Sequence, residues 1–316
     1  MVFTVRMPPV ADRPSPADPP DLFDRLAEIG AAEAGPGHAP QVLYERHGVL
    51  VVRVGDVVVK AHQANRDGGP LLERRMRVAD TLPGLLLPSL GPPRDVDGRV
   101  VTLWPYGEPV TPDPDALPWE DGARLLARLH STPPPEDVPG WGRPERVARQ
   151  VAKLDGDTAA EREIRRAFGT LPAWLRGGAN GRPRPPHGDR RALLHGDWHM
   201  GQMVRVQGTW RLIDVEDLGA GDPAWDLARP AALYSAGVLA HSDWSRFLGA
   251  YRAFQGPAVP AEGDPWEVLD IPARTLVVQI AATCVQSARK DDRPLDGTEQ
   301  ALVDTCTRIS SVGSPA

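Results

Sequence analysis

Residues 185–204, PPHGDRRALLHGDWHMGQMV, contain His-Gly-Asp twice, at His187–Asp189 and at His195–Asp197. The first copy sits beside Pro185, Pro186 and Arg190 with no apolar strand to position it, and it reads as solvated loop. The second follows Ala192–Leu194, an apolar run that predicts a short strand delivering Asp197 on the loop at its end. Gln202 stands five residues beyond Asp197, and Asp214 follows a second short strand, Arg211–Ile213. Two carboxylates and an amide oxygen carried by adjacent strand ends form a hard-oxygen set of the kind Mg²⁺ takes, with phosphate and water oxygens completing the shell. The string His195-x-Asp197-x-His199 is also spaced for a metal. A chain with only eight histidines and no further His pair offers little else to a zinc hydrolase. Asp222, just before Pro223, reads as a helix N-cap.

Positioning these loops calls for a β-rich lead-in and a helical body. Residues 21–35 carry Leu22, Phe23, Leu26 and Ile29 at helical spacing and end at glycine. QVLYERHGVLVVRVGDVVVKAH is Val-rich and broken at His47-Gly48 and Gly55-Asp56, which predicts three consecutive antiparallel strands. Pro70 opens a helix with Leu71, Leu72, Met76 and Val78 on its apolar side, and Val100–Trp104 reads as a further strand. Beyond Pro109 the pattern turns helical, with Trp119, Leu125, Leu126 and Leu129 marking one core face. Further helices are expected near 144–154, 158–176, 223–236, 242–254, 265–289 and 297–310. Residues 202–214 predict a hairpin turning at Gln207-Gly208. The expected class is α+β: a Pro-rich arm (1–20), a small antiparallel β-sheet lobe (21–107) and a larger, mainly helical lobe (108–316).

Composition narrows the partners. Of 316 residues, 41% are apolar and 25% charged, as in a soluble globular protein, and a cytoplasmic location is expected. The net charge of −6 argues against a general nucleic-acid binder. No uninterrupted apolar run approaches a membrane span, and the first residues lack the pattern of a secretory signal, so no membrane partner is expected. Cys284 and Cys306 are too few for a disulfide framework and read as thiols packed in helices. From residue 261 onward nine Asp or Glu face five Lys or Arg, a surplus that suits a cationic ligand.

LLHGDWHMGQMV…RLIDVEDLGAGDPAWDLA resembles the catalytic core of the aminoglycoside phosphotransferase and choline kinase superfamily, small-molecule relatives of the protein kinases. The resemblance implies a bilobal protein-kinase-like fold. It also implies Mg²⁺- and ATP- or GTP-dependent phosphorylation of a hydroxyl on a sugar-like or aminoglycoside-type molecule, an amino sugar or an antibiotic. It gives Asp197 the role of base, Asp214 that of principal Mg²⁺ ligand, Gln202 that of second-metal ligand, and His195 and Asp226 that of loop supports. Gln202 replaces the family's Asn, and the HGDxHxGQ string is similar to the maltokinase and glucosamine kinase branch. Lys60 in VVVKAH resembles the kinase lysine on the α- and β-phosphates, with Glu73 as its expected ionic partner. Leu103, Trp104 and Tyr106 resemble the hinge that meets the base, and Gly48 is the single glycine of a phosphate-covering loop. Trp198, His199, Glu216 and Asp217 are candidate acceptor contacts; Trp198 reads more readily as packing, and Glu216 and Asp217 read equally as solvated loop. The implied partners are a nucleoside triphosphate and a small-molecule acceptor, for a monomer or dimer.

Two other readings share the fold: a choline- or homoserine-type metabolite kinase, and a non-catalytic pseudokinase that binds nucleotide. The twin tripeptides give a contrast that substitution checks. Asp197→Asn is expected to lower kcat by at least about 10²-fold with nucleotide binding nearly intact. Asp189→Asn is expected to leave turnover within about twofold, both read by steady-state kinetics.

Overall fold

Valine spacing builds the first sheet. The computed structural model describes residues 21–46, 48–63, 69–141, 143–177 and 191–312. The arm at 1–20 and the first His-Gly-Asp copy lie outside the described residues. In chain order, α1 (Leu22–Ala34) precedes β1 (Gln41–Arg46), β2 (Val49–Val54), β3 (Val57–Ala61), α2 (Gly69–Asp80), β4 (Arg94–Val96), β5 (Arg99–Pro105) and β6 (Glu108–Pro109). Then come α3 (Trp119–His130), α4 (Arg143–Ala152), α5 (Ala159–Thr170), β7 (Ala192–Leu194), β8 (Met203–Val206), β9 (Thr209–Leu212) and β10 (Gly219–Gly221). The helices α6 (Ala228–Ser235), α7 (His241–Ala253), α8 (Trp266–Lys290) and α9 (Gly297–Val312) complete the chain.

The chain forms two compact units, and the division is discontinuous rather than the single cut after residue 107 expected from sequence. Of the described residues, the first unit takes those from 21 to 118 together with 135–139 and 200–216; the second takes the others. In the first, an antiparallel sheet runs in the order β1-β2-β3-β5-β4. Buried and half-buried residues alternate along β2 and β3. One face therefore buries Leu50, Val52, Val54, Val57, Val59 and Ala61 against Leu26 of α1. Lys60 stands on the opposite face, since neighbouring residues of a strand point to opposite sides. Leu71, expected on the apolar side of α2, is exposed. A second, smaller sheet of the same unit runs β6-β8-β9. The β8–β9 hairpin turns at Gln207 and Gly208, both with positive φ (48° and 76°), the backbone a two-residue turn requires.

The second unit is helical apart from the pair β7–β10, whose glycine-containing partner strand has no hydrophobic signal in the sequence. On α3, Trp119, Leu125, Leu126 and Leu129 are all buried. By length and composition α8 could cross a bilayer, a property that Arg274 and Gln279 hide from a search for unbroken apolar runs. Its side chains pack instead against α4, α5, α6 and α9, with Val277, Val278 and Ala281 fully enclosed. The two cysteines are free thiols buried on α8 and α9.

Helix α1 lies close enough to the sheet to require glycine at position 30. A Cβ there would stand 2.6 Å from Val54 Cγ2. Gly30→Ala is expected to destabilise by about 1–3 kcal/mol despite its helix propensity. Gly249→Ala, on the exposed side of α7 with nothing within 4 Å, is expected to stabilise by up to about 1 kcal/mol. Urea denaturation midpoints should move in opposite directions for the two variants.

Candidate active site

Within the first unit, residues far apart in sequence converge on Lys60. Its Nζ lies 2.9 Å from Asp214 Oδ1 and 2.5 Å from Glu216 Oε1. Burial works to lower the lysine pKa, but the two carboxylates outweigh it and hold the ammonium above its ordinary range. The β8–β9 hairpin aligns the other partner. Just past its open end, Ile213 N–H donates to Gln202 C=O at 3.0 Å, so the two side chains on either side of that bond are neighbours. Gln202 Nε2 then donates to Asp214 Oδ2 at 3.1 Å. Asp214 itself has φ of 62°, a left-handed conformation that aspartate tolerates better than most residues and that a functional loop can retain.

This donor set fits Mg²⁺. Asp214 supplies carboxylate oxygens, and turning over the Gln202 amide, whose N and O differ only by assignment, brings its carbonyl oxygen beside them. Mg²⁺ commonly takes one or two protein ligands and fills its octahedron with phosphate and water oxygens. Among the described residues no three His, Cys, Asp or Glu side chains converge as a metal site, and the His195-x-Asp197-x-His199 string does not form one.

Several expected roles in this unit are corrected. Glu73 does not serve Lys60: its half-exposed carboxylate bonds Arg77 one helical turn on, at 2.9 Å, because it stands outside the Leu72–Met76 buried stripe of α2. From the same helix Arg75 donates to the Glu216 carbonyl. Glu216 is neither solvated loop nor an open acceptor contact; it is 8% exposed and turned to Lys60 and His62. At the expected hinge, Leu103 C=O accepts from Leu90 N–H and Tyr106 N–H donates to Asp56 C=O, so these two backbone groups are already engaged. The Trp104 indole N–H donates to Thr102 Oγ1. Gly48 forms the β1–β2 turn with φ of 75°, and its carbonyl accepts from Arg99.

In the second unit the loop after β7 is organised by Asp226, which is 1% exposed. Its carboxylate accepts from His195 N–H at 2.7 Å, Gly196 N–H at 2.8 Å and His130 Nε2 at 3.0 Å. His130 Nδ1 in turn meets the Tyr251 hydroxyl at 2.7 Å, and that hydroxyl accepts from Ala258 N–H. Burial alone would raise the Asp226 pKa; the bond from His130 leads the interactions that lower it below the ordinary carboxylate value. Gly196 has φ of 87°, and a Cβ on it would stand 2.2 Å from the Asp217 carbonyl oxygen. The loop can therefore close only over glycine.

Asp197 emerges from this loop half-buried. Oδ1 accepts from Arg229 at 2.9 Å and Oδ2 from Arg146 at 3.3 Å; Arg146 also grips the Asp217 carboxylate. Sequence reasoning missed both arginines. Arg229 had a signal, standing three residues beyond Asp226, whereas Arg146 comes from α4 with none. His199 is half-buried. Burial first, and the Arg229 cation second, push its ring down to about 3, so it is neutral. Trp198, considered for the acceptor, is 2% exposed and stacked on Phe247 in the core. Asp222 caps the turn at Pro223 by accepting from Ala224 N–H. Part of the C-terminal acidic surplus is also structural. Glu299 bonds Arg293, Asp296 accepts from Glu299 N–H, and Asp270 pairs with Arg274.

The phosphotransferase enzyme family matches residues 89–266, more than half of the chain. No curated protein matches the sequence. Among solved structures, a choline/ethanolamine kinase family protein from Mesorhizobium loti is 20% identical, with a TM-score of 0.59 over 92% of this chain and 94% of its own. An amicoumacin kinase in complex with AMP-PNP, Ca²⁺ and its ligand aligns at 15% identity and a TM-score of 0.63, over 92% and 94%. A spectinomycin phosphotransferase in complex with ADP and spectinomycin aligns at 11% and 0.58, over 93% and 99%. At these identities the likeness is one of fold.

Asp226 generates a stability test. A folded pKa held below the unfolded value of about 3.9 contributes stability that is present above that value and lost as pH falls through the folded one. Asp226→Asn confronts three donors with a neutral amide and is expected to cost about 3–5 kcal/mol near neutrality. The gap between wild type and variant should shrink below about pH 4, read from urea midpoints across a pH series.

Proposed function

With the chain a member of the phosphotransferase enzyme family, we propose that it transfers the terminal phosphoryl group of ATP or GTP to a hydroxyl of a small sugar-like or aminoglycoside-type molecule. The observation that carries this reading is the convergence of Lys60, Asp214 and Gln202 in the first unit. An ammonium, a carboxylate and an amide beside one another are what a triphosphate and its divalent cation call for. Held by Asp214 and Gln202, Mg²⁺ would supply charge neutralisation on the phosphate oxygens. Lys60 neutralises the α- and β-phosphates, and its position above one sheet face keeps it off the hydrophobic core.

Asp197 carries the acceptor side. Its carboxylate, aimed by Arg146 and Arg229, orients the acceptor hydroxyl and takes its proton as the new O–P bond forms. Phosphoryl transfer asks the protein mainly for placement and charge compensation, so a carboxylate fixed by two guanidinium groups suits the task. Those cations and the neutral His199 ring weigh toward a neutral sugar-like acceptor over a polycation. The similar solved structures of an amicoumacin kinase with AMP-PNP and a spectinomycin phosphotransferase with ADP and spectinomycin support the same class of reaction.

A coupled ADP- and GDP-release screen of sugars, amino sugars and aminoglycosides with Mg²⁺ tests the proposal, with Asp197→Asn protein as the blank. Acceptor-dependent release at least about 10²-fold above that blank is expected. Thermal stabilisation by nucleotide with no release for any acceptor would instead mark a non-catalytic nucleotide binder.

A further inference from the structure

The carboxylate that steadies Lys60 comes from an unexpected place. Lys60 needs an anchor, because an ammonium on a four-carbon stem loses considerable rotamer freedom when it is held in one position. Asp214 cannot serve that purpose alone. Under the phosphotransferase reading its oxygens are shared with the divalent cation, and Gln202 already occupies one of them. Glu73 on α2 is turned to Arg77. Glu216 remains, two residues beyond Asp214, with Oε1 2.5 Å from Lys60 Nζ.

Glu216 is itself held from two sides. Its backbone carbonyl accepts from Arg75, and the same Oε1 lies 2.8 Å from His62 Nδ1. Both contacts are at ion-pair distance, so charge and close packing bind the three groups. His62 has little freedom to turn. Its Nε2 meets Thr102 Oγ1 at 2.9 Å, which also accepts from the Trp104 indole. Its backbone N–H donates to Val100 C=O, and its carbonyl accepts from Arg99. The result is a buried line of side chains, Thr102–His62–Glu216–Lys60, that begins on β5 and ends at the ammonium.

We infer that Glu216, oriented by His62, is the positioning residue that holds Lys60 for the nucleotide phosphates, in place of a glutamate from α2. The inference rests on the phosphotransferase reading and deepens its nucleotide side. It also predicts a sign. By charge alone, removing the Glu216 carboxylate would strengthen binding of an anion, because Lys60, Asp214 and Glu216 together carry one negative charge in excess. If Glu216 positions Lys60, removing it weakens binding instead.

The test is binding of the fluorescent analogues mant-ADP and mant-GDP, in Mg²⁺ and separately in EDTA, to wild type, Glu216→Gln, His62→Leu and His62→Asn. Glu216→Gln is expected to weaken the preferred nucleotide about tenfold or more, with and without Mg²⁺. His62→Leu should weaken it in the same direction. His62→Asn, whose amide can replace Nδ1–H, should recover most of the loss. In a Lys60→Ala background Glu216→Gln should add little, since it acts through the lysine. Should Glu216→Gln show no cooperative melting transition, the two His62 variants decide. Unchanged or tighter nucleotide binding by Glu216→Gln, or equal binding by both His62 variants, overturns the inference and leaves the phosphotransferase reading standing. Wild-type protein that binds neither analogue overturns both.

Discussion

Lys60 and Asp214, 154 positions apart in sequence, meet at 2.9 Å, and the first unit holds each end of that ion pair by a different device. The ammonium rises from the face of β3 opposite the α1-covered core, so strand alternation alone sets its direction. The carboxylate follows β9 in a left-handed backbone conformation, and the hairpin ladder places Gln202 beside it. Removing such charges from water costs several kcal/mol per ion before pairing repays it, so each partner needs compensation. Lys60 obtains it twice over, from Asp214 and Glu216. The excess negative charge that results suits the cation the proposed reaction requires.

The second unit solves a related problem without an ammonium. The backbone of the loop after β7 would expose N–H groups in a buried environment, and Asp226 accepts two of them while His130 and Tyr251 secure the carboxylate from behind. Buried polar groups are costly unless paired, so this network ties the conformation of His195-Gly196 to the interior of the helical unit. Asp197 is thereby presented at the surface of its unit with its direction set by Arg146 and Arg229. In both units a buried carboxylate organises the functional segment, and in neither is it the group proposed to act on substrate.

Legibility in the sequence followed how local each signal was. The three valine-rich strands, the Gln207-Gly208 turn and the core face of α3 depend on period and turn chemistry within a few residues, and the structure carries all three. The pairing of Lys60 with Glu73 failed because a helix pattern tells which residues are apolar, not how the helix is rotated against a neighbour. Glu73 lies one residue off the buried stripe, and a 100° turn per residue is enough to send it to Arg77. Trp198 follows its packing reading rather than the acceptor one for a similar reason: a residue adjacent to Asp197 in sequence points to the other side of the chain, here against Phe247. Beyond these, β10 was invisible because Gly-Ala-Gly carries no hydrophobic pattern.

By itself the sequence determined the α+β class, the His195–Asp197 loop at a strand end, and the spacing of Gln202 and Asp214 around a hairpin, because each is written in short-range periodicity. Only the tertiary structure decided which carboxylate faces Lys60, which arginines flank Asp197, and which histidines are structural. Those choices rest on contacts between segments 32 to 154 residues apart, such as Arg229 with Asp197 and Lys60 with Asp214. Ionic attraction and burial act through space, and no pattern along the chain records which distant partner satisfies them at least cost.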